Sequence, residues 1–60
     1  MIKHYCVDVE EQDAMGNKRY FIRTITAENE TDAWLSAQVT YEYFNADGSS
    51  CVVLKVYSNN

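Results

Sequence analysis

Apolar and polar residues alternate from Ile2 to Glu11. Tyr5, Val7 and Val9 fall on one side and His4, Cys6, Asp8 and Glu10 on the other, the period-2 mark of a half-buried strand. Ala14-Met15-Gly16-Asn17 interrupts the pattern, and Gly16 and Asn17 both tolerate positive φ, so a hairpin loop is predicted there. Alternation resumes from Arg19 to Thr26, with Tyr20, Ile22 and Thr24 on one face and Phe21, Arg23 and Ile25 on the other. Both segments are rich in the β-branched and aromatic residues that suit a pleated surface.

The period then changes. From Asn29 to Phe44 an advance of about 100° per residue gathers Ala33, Trp34, Ala37, Tyr41 and Phe44 on one side of a helix. Leu35, Val39 and Tyr43 gather roughly opposite. Asn29 is placed to cap this helix, and Glu30 and Asp32 put negative charge at the positive end of its dipole. With no proline in the chain, nothing breaks the helix before the turn segment Asn45 to Ser50. Cys51 to Tyr57 reads as a third strand, followed by a polar tail, Ser58-Asn59-Asn60.

These elements predict a single α+β domain over residues 1–60, in the order β-β-α-β. A three-stranded antiparallel sheet carries one helix on one face, with the last strand returning beside the first. Tyr5, Val7, Val9, Tyr20, Ile22, Val52, Leu54 and Val56 are assigned to the helix side. Phe21, Ile25, Val53 and Tyr57 then share the other face with Asp8, Glu10, Arg23 and Lys55, which is more apolar than a solvated face should be. A small sheet covers only one side of a helix, so one of the two helix stripes is also left in water. The excess apolar surface points to a second subunit, through that stripe, the open sheet face or an edge strand.

Size sharpens this expectation. A chain of 60 residues buries only about 60 % of its unfolded surface and is marginal unless a disulfide, a metal or another subunit staples it. His4 is the only histidine and the two cysteines form no C-x-x-C pair, so no metal site and no cofactor are expected. Cys6 should lie opposite the middle of the last strand and Cys51 near its start, too far apart for a disulfide. Free thiols suit a reducing cytosol. The Met-Ile-Lys start lacks the apolar run of a signal peptide, and no stretch approaches a membrane span. A soluble, intracellular chain is expected.

Nine acidic residues against five basic ones leave a net charge of −4. That balance argues against direct nucleic-acid binding, which depends on Lys and Arg neutralising phosphates. It suits an acidic protein that captures a basic surface, although ordinary solubility has the same signature. Seven of the nine acids fall in two runs, Asp8, Glu10, Glu11 and Asp13, then Glu28, Glu30 and Asp32. Two acidic poles around an apolar middle could imitate phosphates flanking an apolar contact, or could simply be a solvated strand end and a helix-dipole partner.

Catalytic signals are weak. His4 and Cys6 project side by side from a strand with no third group to orient them, and nothing desolvates Glu10, Glu11 or Asp13 into an acid–base pair. The isolated Gly16 and Gly48 make no phosphate-cradling loop. Non-enzymatic binding is therefore expected. Five tyrosines, two phenylalanines and a tryptophan serve both as core filling and as anchors for a partner, and Trp34 fits either use.

The first hairpin reads Tyr5-x-Val7, four residues, Gln12-Asp13-x-x-Gly16, then Lys18 and the aromatic pair Tyr20-Phe21. It resembles the opening hairpin of the small phage-encoded uracil-DNA glycosylase inhibitors. Thr31-Asp32 followed by Trp34, and the last strand from Val52 to Val56 with its Lys55, resemble the family in pattern. The resemblance implies a homodimer of β-β-α-β subunits in the host cytoplasm that occupies the DNA-binding face of host uracil-DNA glycosylase. Acidic groups would stand in for phosphates, and an apolar cleft between the two helices would take up the enzyme's protruding apolar residue. Carried onto this chain, the partner-binding residues are Asp32, Trp34, Leu35, Gln38, Val39, Tyr41 and Glu42. The family's carboxylate and tyrosine after the helix aromatic have no aligned counterpart here. The alternative function is another phage counter-defence protein, an anti-CRISPR or anti-restriction factor, that binds a nucleic-acid-binding surface. A structural subunit docking through its second helix stripe is a third.

Overall fold

The computed structural model describes residues 1–58, so the expected tail lies outside the described residues beyond Ser58. The element order is β1 (Lys3–Gln12), β2 (Lys18–Ala27), α1 (Glu30–Tyr41), β3 (Tyr43–Phe44) and β4 (Ser50–Ser58). The architecture is α+β, with one helix against an antiparallel sheet of four strands in the order β2-β1-β4-β3.

The hairpin between β1 and β2 closes as its residues dictate. Asp13 Oδ1 accepts from the backbone N–H groups of Met15 and Asn17, both at 2.9 Å, and Asp13 Oδ2 accepts from Asn17 Nδ2 at 3.1 Å. Gly16 adopts φ +90°, a conformation that glycine reaches without the steric cost other residues carry. The β3–β4 turn repeats the device, with Asp47 Oδ1 accepting from Ser49 and Gly48 at φ +94°.

Asn29 caps α1 as expected, its side chain accepting from Asp32 N at 2.9 Å. The helix is shorter than the sequence suggests. It ends when the Glu42 N–H donates to Gln38 O at 3.0 Å and Glu42 turns extended. Tyr43 and Phe44 leave the helical pattern to pair with Cys51 and Ser50, and this supplies the fourth strand that the three-stranded expectation lacks. Backbone groups that a longer helix would bond internally are bonded across the sheet instead. Phe44, assigned from the sequence to the helix stripe of Ala33, Trp34, Ala37 and Tyr41, is exposed on this edge.

The core is small. Tyr5, Val7 and Val9 of β1, Ala27, Cys51 and Val56 are buried together with Ala33 and Ala37 of α1. The two alanines let the helix backbone settle close to the sheet, and Phe21, Ile25, Trp34, Tyr41 and Val53 close the sides. Only Val7 and Val9 combine full burial with appreciable size.

The facing of two strands departs from the sequence reading. The register pairs Val9 with Phe21 and Tyr5 with Ile25, so Phe21, Arg23 and Ile25 lie on the helix side while Tyr20 and Ile22 point away. Residues directly opposite in an antiparallel pair share a face. In β4 the register shifts between Asp8 and Val9: Lys55 lies opposite Asp8 and Val53 opposite Val9, leaving Leu54 as an extra residue. This bulge inverts the alternation. Val56, Val53 and Cys51 face the helix, and Val52 and Leu54 do not. Cys6 lies opposite Tyr57, near the end of β4 rather than its middle, and both thiols are free.

Candidate partner interface

The seven residues marked as partner-binding divide between two sides of α1. Leu35 (58 % exposed) and Val39 (86 %) form an outward apolar pair one turn apart. Asp32 and Gln38 are exposed beside them. Asp32 also serves the cap, its Oδ2 accepting from Asn29 Nδ2 at 3.3 Å.

Trp34, Tyr41 and Glu42 point to the sheet instead. Trp34 is half-buried against the core, and the Tyr41 hydroxyl donates to Thr24 O at 2.7 Å, tying the end of α1 to β2. Glu42 Oε2 accepts from Val53 N at 3.2 Å, occupying an edge donor where β3 no longer pairs with β4. These three hold the helix in place, and the outer stripe is presented by Leu35 and Val39.

Acidic residues stand at both ends of the molecule, while Asp8 and Glu42 lie between them. Glu11, Asp13 and Asp47 line a cleft of about 370 Å³ between the two turns, together with Arg19 and Tyr43. Hydrogen bonds from Asn17 hold the Asp13 carboxyl below its ordinary value, and those from Ser49 do the same for Asp47. Partial desolvation pushes the Tyr43 hydroxyl up, aided by Glu11 and Asp47. At the opposite end Asn29 and Glu30 border a second hollow with Lys3 and Ser58. Asp47 belongs to the first pole although it lies outside both acidic runs, because the β3–β4 turn folds back beside the hairpin.

The open sheet face is apolar, as the sequence reading expected, but mostly through other residues than those assigned to it. On the sheet face away from α1, Tyr20 and Ile22 are each 65 % exposed and Leu54 is 48 % exposed. The Tyr57 hydroxyl donates to Asp8 Oδ1 at 3.1 Å on this face, and burial followed by that carboxylate pushes the tyrosine's pKa up. Lys55 Nζ stands 5.2 Å from the centre of the same ring. Correct facing of β2 and the bulge in β4 are both needed to find this patch.

Among the described residues no three His, Cys, Asp or Glu side chains are grouped as metal ligands would be. No helix among them is long and apolar enough to cross a membrane. No family model, curated protein or solved structure matches the chain.

Proposed function

We propose that this chain is a protein inhibitor of uracil-DNA glycosylase, working as a homodimer in the cytoplasm of a phage-infected host cell. It acts as an acidic DNA mimic that covers the enzyme's DNA-binding face, with no covalent chemistry. The observation that carries the reading is the uncovered Leu35–Val39 pair on α1, lying between two acidic ends of the molecule. The apolar side chain that the enzyme would push into a duplex lodges on this stripe. Carboxylates at either end meet the basic groups that otherwise hold phosphates. The hairpin motif through Gln12, Asp13 and Gly16 supplies the choice of target.

A uracil-excision assay tests it. Stoichiometric protein should stop excision, with inhibition weakening as salt rises. Val39→Arg, at a position too exposed to disturb folding, should raise the protein needed for half-inhibition by at least about tenfold. Unchanged excision with the wild-type protein overturns the proposal.

A further inference from the structure

One torsion angle sets where α1 ends. The Glu42 N–H still donates to Gln38 O at 3.0 Å, as a helical residue would, and its φ of −83° lies in the helical range. Only ψ, at 132°, departs from it. No stop signal stands at this point in the sequence. Glu42, Tyr43 and Phe44 are neither glycine nor proline, and Asn45 is the first residue suited to follow a helix end. What ends α1 is the capture of Tyr43 and Phe44 by Cys51 and Ser50, with Val53 N held by Glu42 Oε2 at 3.2 Å.

The two aromatic side chains suit either backbone. Strand alternation turns Tyr43 to the helix side of the sheet, because its partner Cys51 faces that way. It turns Phe44 to the other side, where the ring is 72 % exposed. Helical geometry exchanges these places. At about 100° per residue, Phe44 follows Ala33, Ala37 and Tyr41 onto the side packed against the sheet. Tyr43, four residues beyond Val39, joins Leu35 and Val39 on the outer side. An aromatic ring thus takes the inward place in both arrangements.

Room and bonding allow the exchange. Beyond the end of α1 lies the cleft of about 370 Å³ between the two turns, which Tyr43 already lines. Three further helical residues advance only about 4.5 Å. The four residues Ala46 to Ser49 then span up to about 14 Å to reach Ser50. In the longer helix the N–H groups of Tyr43, Phe44 and Asn45 bond the carbonyls of Val39, Thr40 and Tyr41. These replace a two-residue pairing with β4 and the Asn45 N to Ser49 O bond.

We propose that residues 43–45 form a strand-to-helix switch. Strand β3 is the resting form, and a partner seated on the Leu35–Val39 stripe extends α1 by about one turn, bringing Tyr43 onto the stripe as its third apolar residue. The identity of that partner, an apolar side chain of the glycosylase, rests on the proposed function. A target that touches the outward Tyr43 binds the extended form more tightly, and this difference shifts the equilibrium. The resting form withholds the tyrosine, which keeps the exposed apolar stripe of the free protein short.

Carbon-13 secondary shifts at Tyr43, Phe44 and Asn45 report the switch by nuclear magnetic resonance. They should be strand-like at Tyr43 and Phe44 in the free wild type. Asp47→Ala/Gly48→Ala removes the acceptor for Ser49 and places a side chain at φ +94°, weakening the turn that holds β3. In this variant the three residues should move toward helical shifts, while β1 and β2 keep theirs. Gly48→Ala alone, whose Cβ would stand 3.9 Å from Ala14 O in ordinary contact, should move them the same way if the double variant unfolds. Bound to uracil-DNA glycosylase, the wild type should be helical at all three positions. Phe44→Ser should melt within about 4 °C of wild type, because the ring is exposed in the resting form. It should also need roughly tenfold more protein for half-inhibition of uracil excision, because the extended form loses its inward ring. Turn variants that stay strand-like or become merely disordered at these residues overturn the inference. A glycosylase complex that keeps strand-like shifts there overturns it too, as does undiminished inhibition by Phe44→Ser. If the wild type leaves the glycosylase unbound, the target reading fails, and the turn variants alone decide the switch.

Discussion

Val7 lies on the central strand, opposite Arg23 on one side and Val56 on the other, with no exposed surface at all (0 %). Val7→Ala removes two methyl groups, worth about 1.6 kcal/mol in transfer from water alone. The cavity left beneath α1 adds to this, for a total of roughly 2–3 kcal/mol. A core of this size supplies only about 3–5 kcal/mol in all, so one substitution removes around half of it. For so short a chain each kcal/mol moves the melting temperature by about 4–8 °C, giving an expected fall of about 10–20 °C. Urea unfolding followed by circular dichroism provides the measurement, at one fixed protein concentration because association shifts the apparent midpoint. The midpoint should drop while the slope stays constant. Val39→Ala, on the exposed stripe, is the control and should stay within about 0.5 kcal/mol of wild type. A loss below about 0.5 kcal/mol for Val7→Ala would refute the placement of stability at the centre of the β1–α1 contact.

Asn29→Ala removes the acceptor for the Asp32 N–H and should cost about 1 kcal/mol, read from the same urea curves. Asp13 and Asp47 are held below the ordinary aspartate value of 3.8 by their turn hydrogen bonds. Their contribution is therefore complete above that value and is lost as pH falls through their depressed folded values. Acid titration of stability should show this loss below about pH 4, and Asp13→Asn should flatten it. Burial pushes the Cys51 thiol up, so iodoacetamide followed by mass spectrometry should leave Cys51 unmodified in the native protein and label it in urea.

Local chemistry made much of the scaffold legible. The Asn29 cap, the Asp13–Gly16 loop and the antiparallel return of the last strand beside the first all follow from short-range residue preferences. Facing was harder, because period-2 alternation does not say which set is inward. Arg23 made the Phe21–Ile25 set look like the solvent side. On an edge strand, however, its stem can lie along the sheet while the guanidinium stays in water, 4.8 Å from the centre of the Phe21 ring. The bulge at Leu54 depends on pairing across strands, which no local pattern records. Tyr43 and Phe44 continued the helical periodicity and were captured by β4, a tertiary contact overriding a local one. For the site, the sequence shows Leu35 and Val39 as one of two opposite apolar stripes; the sheet contacts of Trp34, Tyr41 and Glu42 are what turn that stripe outward.

Strand β2 is bonded to β1 along one side and, among the described residues, has no strand on its other side over all ten residues. That bare margin is where copies could add end to end into fibres. It carries Lys18, Arg19 and Arg23, three of the five basic residues of an otherwise acidic chain. Any strand laid alongside would have to crowd and partly desolvate these charged side chains, so the margin resists extension of the sheet. Protection of this rim thus falls to a few cations, more than to the anionic surplus that dominates the composition.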